Sequence, residues 1–186
     1  AEDSGASGSD NLTNRASVPL SVSAETGSTV TLNGQSAVAV SGLASFTVAL
    51  AEGVNGFSAT ATDAAGNVRA AGMLSIGRDS DADLGDDLAV TLGDGLINAM
   101  ERAAVGFALS GLDADATATL TFASKGGGAI TRTLSANGTG TIDLSSLGDG
   151  AIDVSVSAGD VAGNVAAGGG ASAPLDTLAP DAPVID

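Results

Sequence analysis

The feature that most constrains the fold of this chain is an internal repeat. Asp63-Ala-Ala-Gly-Asn-Val recurs as Asp160-Val-Ala-Gly-Asn-Val at an offset of 97 residues (160 − 63 = 97). The same offset links Asp79 to Asp176 (176 − 79 = 97). A constant offset close to the size of a small domain predicts two copies of one structural module.

Apolar and polar residues alternate with a period of two, which is typical of strands with one buried face. The clearest alternating runs are Val30–Leu32, Phe46–Leu50, Leu88–Leu92, Ala118–Phe122 and Thr139–Leu144. The pairs that predict turns between strands are Asn33-Gly34, Asn55-Gly56, Asp94-Gly95, Asn137-Gly138 and Asp149-Gly150. Short strands with frequent turns favour an all-β fold made of antiparallel β-sandwiches.

One segment departs from this pattern. Asn98 and Glu101 have the spacing of a helix N-cap and its N3 residue, just before an apolar run. We expect either a short helical turn here or an irregular crossover after the first strand of the second module.

The composition excludes several classes of function. The net charge is -16, and the six basic residues are scattered, so nucleic acid and anionic lipid are not expected partners. Cysteine and histidine are absent, which excludes Ser-His-Asp and Cys-His catalysis and thiolate metal sites. No apolar run is long enough to predict membrane insertion.

Five motifs occur in an order that resembles the Ig-like repeats of giant, type I-secreted, RTX-adhesin-like bacterial surface adhesins and biofilm-associated proteins. They are Asp-x-Ala-Gly-Asn-Val, which occurs once in each repeat, and the segments Leu96–Glu101, Leu109–Leu112, Leu175–Pro183 at the end and Asp3–Asn14 at the start. The resemblance covers essentially the whole chain. It implies an extracellular, monomeric extender region on the bacterial cell surface that contacts neighbouring repeats, serves cell adhesion and biofilm formation, and binds calcium between repeats.

The repeat and the resemblance together predict two tandem antiparallel Ig-like β-sandwiches. The expected divisions are a partial inter-repeat junction at 1–14, domain 1 at 15–78, an acidic calcium-binding linker at 79–87, domain 2 at 88–178 and the start of the next linker at 179–186.

The acidic linker contains five carboxylates in nine residues, including Asp79, Asp81 and Asp83. Calcium prefers six to eight oxygen ligands, so the run suits it, but the match to an EF-hand loop fails. Gly85 lies one place late, and Val90 stands where a bidentate Glu is required. In an extended chain, alternate Asp residues lie about 6.6 Å apart, so we expect other groups to complete any site.

The Ig fold indicates which groups these are. We expect Asp160, in the loop between the last two strands, to face the preceding linker, with Glu101 or Asn98 as further ligands. By the same logic, Asp63 should face Asp3 and Asp10 at the front of the first module. Asp176, at the back, should form part of an incomplete site.

Simpler roles compete with calcium binding. The acidic run could be a solvated linker, Asp63 and Asp160 could only shape their turns, and Glu101 could only cap a turn.

Two other functions compete with the extender. A ligand- or carbohydrate-binding Ig-like module is disfavoured because Trp and Tyr, the usual sugar platforms, are absent. An enzyme with a carboxylate pair is disfavoured because the acids lie in Gly- and Ser-rich segments that cannot desolvate a general acid.

Overall fold

The computed structural model describes residues 3–184, and within that range the chain forms strands and turns without a helix. This confirms the predicted all-β fold class. The chain divides into two compact units. Unit 1 comprises Ala1–Asp81 with Val161–Asn164, and unit 2 comprises Ala82–Asp160 with Val165–Asp186. The domain boundaries predicted above remain a prediction.

The described residues of unit 1 form nine strands in three sheets. The strands are β1 (Leu12–Thr13), β2 (Ser17–Ser23), β3 (Thr29–Leu32), β4 (Gln35–Val38), β5 (Leu43–Ala49), β6 (Gly53–Phe57), β7 (Ala59–Thr62), β8 (Val68–Ala70) and β9 (Leu74–Arg78). The sheet orders are β1-β9-β6, β2-β5 and β4-β3-β7-β8. Alternate residues of β2 and β5 point inward, so one face of each strand is buried in the core of the unit.

In unit 2, the residues up to 184 that the structure describes form nine further strands in two sheets. They are β10 (Ala89–Leu92), β11 (Ile97–Asn98), β12 (Val105–Ser110), β13 (Ala116–Ser124), β14 (Ala129–Leu134), β15 (Gly138–Ile142), β16 (Gly150–Asp160), β17 (Val165–Ala167) and β18 (Ala171–Asp176). One sheet has the order β10-β12-β15 and the other β11-β18-β16-β13-β14, with β17 on β16. Phe107 and Phe122, from opposite sheets, meet edge to face at 5.7 Å in the core between them.

Both units close in the same way, by a parallel pairing that the antiparallel prediction did not include. The short β1 lies parallel to the end of β9, and the short β11 lies parallel to the end of β18. In each unit a short two-residue strand near the beginning of the chain segment is thereby tied to the end of the last strand. This closure determines where the acidic residues lie.

Two local predictions need comment. Asn55-Gly56 does not form a turn but lies inside β6, because the Asn55 side chain bonds to the Ala51 backbone N–H and C=O and so shapes the preceding turn instead. At residues 98–104 the predicted cap is present without a helix. The Asn98 side chain accepts from the Met100 N–H, and the Glu101 carboxylate accepts from the Asn98 N–H.

Candidate functional site

Asp83 is the buried member of the acidic run, with only 4% of its surface exposed. Its Oδ1 accepts hydrogen bonds from the Asp87 and Leu88 backbone N–H groups, both at 3.2 Å, and its Oδ2 lies 3.2 Å from the same Leu88 nitrogen. The carboxylate therefore organises the turn that leads into β10. Local turns of this kind use carboxylates often, because a charged acceptor strengthens the bond.

Asp113 holds the same turn from outside the acidic run. Its Oδ2 accepts from the Leu84 N–H at 2.7 Å. Asp113 precedes β13, whose first residue Ala116 is paired with Asp160. Asp113 and Asp160 therefore lie at the end of unit 2 where the chain enters it. The expected placement of Asp160 near the start of its module is consistent with this pairing, and nothing in the sequence singled out Asp113.

Asp79 and Asp81 belong to unit 1. The Asp79 N–H donates to the Thr13 carbonyl at 3.0 Å, and the Asp81 N–H donates to the Asp79 carboxylate at 3.2 Å. Asn164, also in unit 1, donates from its side-chain amide to the Asp79 carbonyl at 3.0 Å. The backbone at Asp79 is thus fixed from two directions.

Glu52 fixes the residues on either side of Asp79, a role that the sequence did not indicate. Its carboxylate accepts from both the backbone N–H and the hydroxyl of Ser80, and it forms an ion pair with Arg78 at 3.2 Å. Because Glu52 is distant in sequence, only the pairing of β6 with β9 reveals the contact.

Asp3 and Asp10 shape the loop at the front of the chain. Asp3 Oδ2 accepts from the Asn11 N–H at 3.0 Å, and Asp10 Oδ1 accepts from the Leu12 N–H at 3.0 Å. The other oxygen of Asp3, Oδ1, is enclosed and has no hydrogen-bond partner. An enclosed carboxylate oxygen without a donor is unusual, because buried polar atoms are nearly always paired. A bound cation would satisfy it.

Asp63 is part of a tight turn and not of a group with Asp3 and Asp10. Its Oδ1 accepts from the Ala65 and Asn67 N–H groups, and its Oδ2 accepts from the Asn67 side-chain amide at 2.7 Å. These bonds, chiefly that of the Asn67 side chain, hold the pKa of Asp63 below its usual range. Gly66 completes the turn with a φ of 89°, which favours glycine.

The expected grouping of Asp63 with Asp3 and Asp10 is therefore wrong. Asn11, bonded to Asp3, accepts from the Gly77 N–H at the end of β9. Gly53, the first residue of β6, is the antiparallel partner of the last residue of β9. From Gly53 the chain passes through β6 and then β7 before it reaches Asp63. At about 3.3 Å per residue, two consecutive strands place Asp63 at the opposite end of the unit. The parallel closure by β1, which the sequence did not reveal, is the reason.

The same closure corrects the placement of Asn98 and Glu101. Asn98 is paired with Asp176, and the adjacent Leu175 is paired with Gly150 at the start of β16. Asp160 lies at the other end of that 11-residue strand, about 33 Å away in an extended chain. Asn98 and Glu101 therefore accompany Asp176 and do not join Asp160.

The fit to calcium is thus incomplete in each unit taken alone. Among residues 3–184 no three acidic side chains come close enough to form a metal-binding group. The donors that are present, carboxylates and backbone carbonyls, are the type that calcium takes. Within the part of the chain that the structure describes, the enclosed Oδ1 of Asp3 is a carboxylate oxygen that a bound cation would satisfy.

The two sheets of unit 2, packed face to face around one core, define an Ig-like β-sandwich. Residues 1–80 match the family described as Bacterial Ig-like domain, which confirms the predicted resemblance to bacterial Ig-like repeats. A comparison with curated protein sequences gives no match. Between residues 3 and 184 there is no helix with the length and apolar character needed to cross a bilayer.

Solved structures with similar folds come from several settings. A tandem of titin domains is 10% identical with a TM-score of 0.56, over 89% of this chain and 59% of that one, and it supports the fold alone. A tetra-tandem repeat from the extending region of a large adhesion protein is 23% identical with a TM-score of 0.45, over 90% of this chain. The BSP domain of a biofilm associated protein is 14% identical with a TM-score of 0.30, over 91% of this chain and 29% of that one. This chain spans 47% of the length of the adhesion-protein structure.

Proposed function

We propose that this chain is a pair of structural extender repeats from a bacterial cell-surface adhesin, serving cell adhesion and biofilm formation outside the cell, and that calcium stiffens the connection between the repeats. The match of residues 1–80 to bacterial Ig-like domains supports the class of protein. The fold is of a kind used mainly for structural and binding roles, and a non-enzymatic function agrees with it.

The observation that carries the proposal is the shortness of the acidic segment that follows the last strand of unit 1. β9 ends at Arg78, and unit 2 begins at Ala82. Carboxylates close together in a short segment repel one another, and a bound cation relieves that repulsion and adds ligand bonds to the hydrogen bonds that already hold Asp79 and Asp83. Asp79, Asp81 and Asp83 are the acids of this segment that would hold calcium, with a smaller share from Asp83 because it is buried and both of its oxygens already face the Leu88 backbone N–H.

Two further groups of acids extend the proposal. Asp3, with its unpartnered oxygen, and Asp10 would contribute at the front of the chain, and Asp160 at the entry to unit 2. Asn98, Glu101 and Asp176 would form part of a site completed by a following repeat. Asp63 would contribute least, since both of its oxygens already accept hydrogen bonds within its own turn.

Calorimetric titration of the chelator-treated chain with calcium tests the proposal. We expect saturable binding that is weakened by Asp81→Ala and unchanged by Asp153→Ala. Asp153 is a suitable control because it is an acid on the exposed face of β16, where it bonds Ser172. An absence of heat beyond dilution, or equal weakening by the two variants, would reject calcium binding by the linker.

A further inference from the structure

Two turns of the chain share four of their five residues. The β7–β8 turn is Asp63-Ala-Ala-Gly-Asn67 and the β16–β17 turn is Asp160-Val-Ala-Gly-Asn164. The strands beside them pair in the same register at an offset of 97 (159 − 62 = 97). The glycines of the two turns, Gly66 and Gly163, have φ values of 89° and 92°. The two turns therefore have the same local conformation, and they differ in what packs against them.

The β16–β17 turn is seated within unit 1. Its residues Val161–Asn164 belong to that unit, and Ala162 is fully buried. The Ser4 hydroxyl donates a hydrogen bond to the Ala162 carbonyl at 3.0 Å, and the Ala6 N–H donates to the first carbonyl of the segment at 3.3 Å. The side chain of the final asparagine donates to the Asp79 carbonyl at 3.0 Å. Ser4, Ala6 and Asp79 thus form the seat of this turn.

The seat admits the turn only because both backbones carry glycine. A Cβ at Gly5 would overlap the Val161 carbonyl, and a Cβ at Gly163 would lie 3.0 Å from the Gly5 Cα. Glycine permits so close an approach because it has no side chain. In the β7–β8 turn, by contrast, a Cβ at Gly66 would meet nothing within 4 Å. The surface of that turn is open where the other turn is covered.

The β7–β8 turn exposes the groups that the seat of unit 1 binds in the other turn. Ala65 is exposed, although the equivalent Ala162 is buried. Asn67 is exposed as well, and its side-chain amide donates to the Asp63 carboxylate at 2.7 Å. An asparagine amide carries two hydrogens, so Asn67 can hold its own turn and still donate outward.

The end of unit 2 repeats the part of the seat that the last strand provides. β11 lies parallel to the end of β18, as β1 lies parallel to the end of β9. The Leu178 N–H donates to the Asp176 carboxylate at 3.1 Å, as the Asp81 N–H donates to the Asp79 carboxylate at 3.2 Å. The Asp176 carbonyl therefore corresponds to the Asp79 carbonyl that accepts from the β16–β17 turn. An acceptor for a second turn of this kind is thus built into the same module.

We propose that the β7–β8 turn docks on the end of an Ig-like repeat that precedes unit 1 in the same polypeptide, at the exit of that repeat's last strand. Ala65 would be buried there as Ala162 is in unit 1, and Asn67 would donate to a backbone carbonyl equivalent to that of Asp79. This docking rests on the proposed function as an array of repeats, but it does not require calcium.

The size of the contact selects a connected repeat as the partner. A turn of five residues buries far less than the roughly 1,000 Å² that a stable association of separate chains requires. Covalent connection raises the effective concentration of the partner to about the millimolar range, which compensates for a weak contact. A free copy of the chain is therefore not the expected occupant.

Hydrogen exchange of the Ala6 N–H in the full chain measures whether the turn sequence of unit 1 suits the seat. Val161→Ala makes the seated turn identical in sequence to the β7–β8 turn. Val161 accepts from Ala6 through its backbone carbonyl, so the exchange rate should change by less than about twofold. Ala162→Arg forces a charge into a fully buried position and should accelerate exchange roughly tenfold or more. Equal acceleration by the two variants, or none by Ala162→Arg, would overturn the proposal.

Two copies of the full chain joined head to tail test the docking itself. Leu12 and Leu96 are equivalent positions, since each donates its N–H to the aspartate two residues before it. From Asp176 of one copy to Leu12 of the next is 22 residues (186 − 176 + 12 = 22), and from Asp79 to Leu96 is 17 (96 − 79 = 17). The join is therefore long enough for the second copy to reach the end of the first.

Ala65→Arg is introduced into one copy of this tandem at a time. Only the second copy follows another repeat, so the first-copy variant is a control with the same composition. In chelator, limited proteolysis should cut the segment between the copies roughly tenfold or more faster in the second-copy variant, because the docked state is lost. The first-copy variant should be cut at the rate of the unaltered tandem. Equal rates for the two variants would overturn the docking, and that failure is distinct from failure of the calcium proposal, which calorimetric titration of the single chain decides.

Discussion

The role of Asp83 as a structural acceptor leads to a prediction of defined size. Asp83→Ala removes the acceptor of the Leu88 N–H, which lies in a residue only 3% exposed. A buried donor without a partner costs about 1–3 kcal/mol. The Asp87 N–H loses the same acceptor, but Asp87 is exposed, so its N–H can donate a hydrogen bond to water. We therefore expect a loss of about 2 kcal/mol in the free energy of unfolding of unit 2.

Asp87→Ala is the matched control, because it removes one carboxylate from the same acidic run at an exposed position. Its effect should stay within about 0.5 kcal/mol, as for most surface substitutions. Both variants relieve the same like-charge repulsion, so their difference isolates the lost acceptor.

Urea unfolding followed by circular dichroism in chelator measures the difference without a contribution from bound calcium. With a urea dependence of about 1–2 kcal/mol per molar for a unit of this size, the Asp83→Ala midpoint should fall by about 1–2 M. Equal midpoints for the two variants would refute the structural role of Asp83.

Three further predictions concern the units themselves. Phe122→Ala removes a fully buried ring and should cost unit 2 about 3–5 kcal/mol in the same urea assay. Gly66→Ala, at φ 89°, should destabilise unit 1 by about 1–2 kcal/mol, whereas Gly56→Ala within β6 should not; equal losses would contradict the turn geometry. Hydrogen bonds lower the pKa of Asp63 in the folded chain. The stability that they contribute should therefore be present above the ordinary aspartate pKa and be lost as the pH falls through the lower folded pKa. Thermal melts below about pH 4 should show this loss in the unaltered chain and a smaller loss in Asp63→Asn.

Local sequence patterns predicted the strands and several turns because both depend on neighbouring residues. The run Ala118–Phe122 lies inside β13, and Asn33-Gly34 forms a turn with φ values of 43° and 89°. The turn at Asp63 followed from its own motif for the same reason. The spacing of Asn98 and Glu101 also predicted the hydrogen bonds of their cap, because a cap involves residues only a few positions apart.

The grouping of the acids was not predictable, since it depends on contacts distant in sequence. The parallel pairings of β1 with β9 and of β11 with β18 involve segments of two residues, too short for a periodic signal. They place Asn98 beside Asp176 and separate Asp63 from Asp3. The burial of Asp83 likewise depends on β10 reaching its place in unit 2, which the acidic run itself does not encode.

The central claim, that calcium stiffens a pair of extender repeats, is tested most directly by small-angle X-ray scattering of the full chain in calcium and in chelator. Stiffening predicts a larger maximum dimension and a narrower distance distribution in calcium, with the difference diminished in Asp81→Ala and retained in Asp153→Ala. Superimposable scattering profiles of the unaltered chain in the two conditions would contradict the claim.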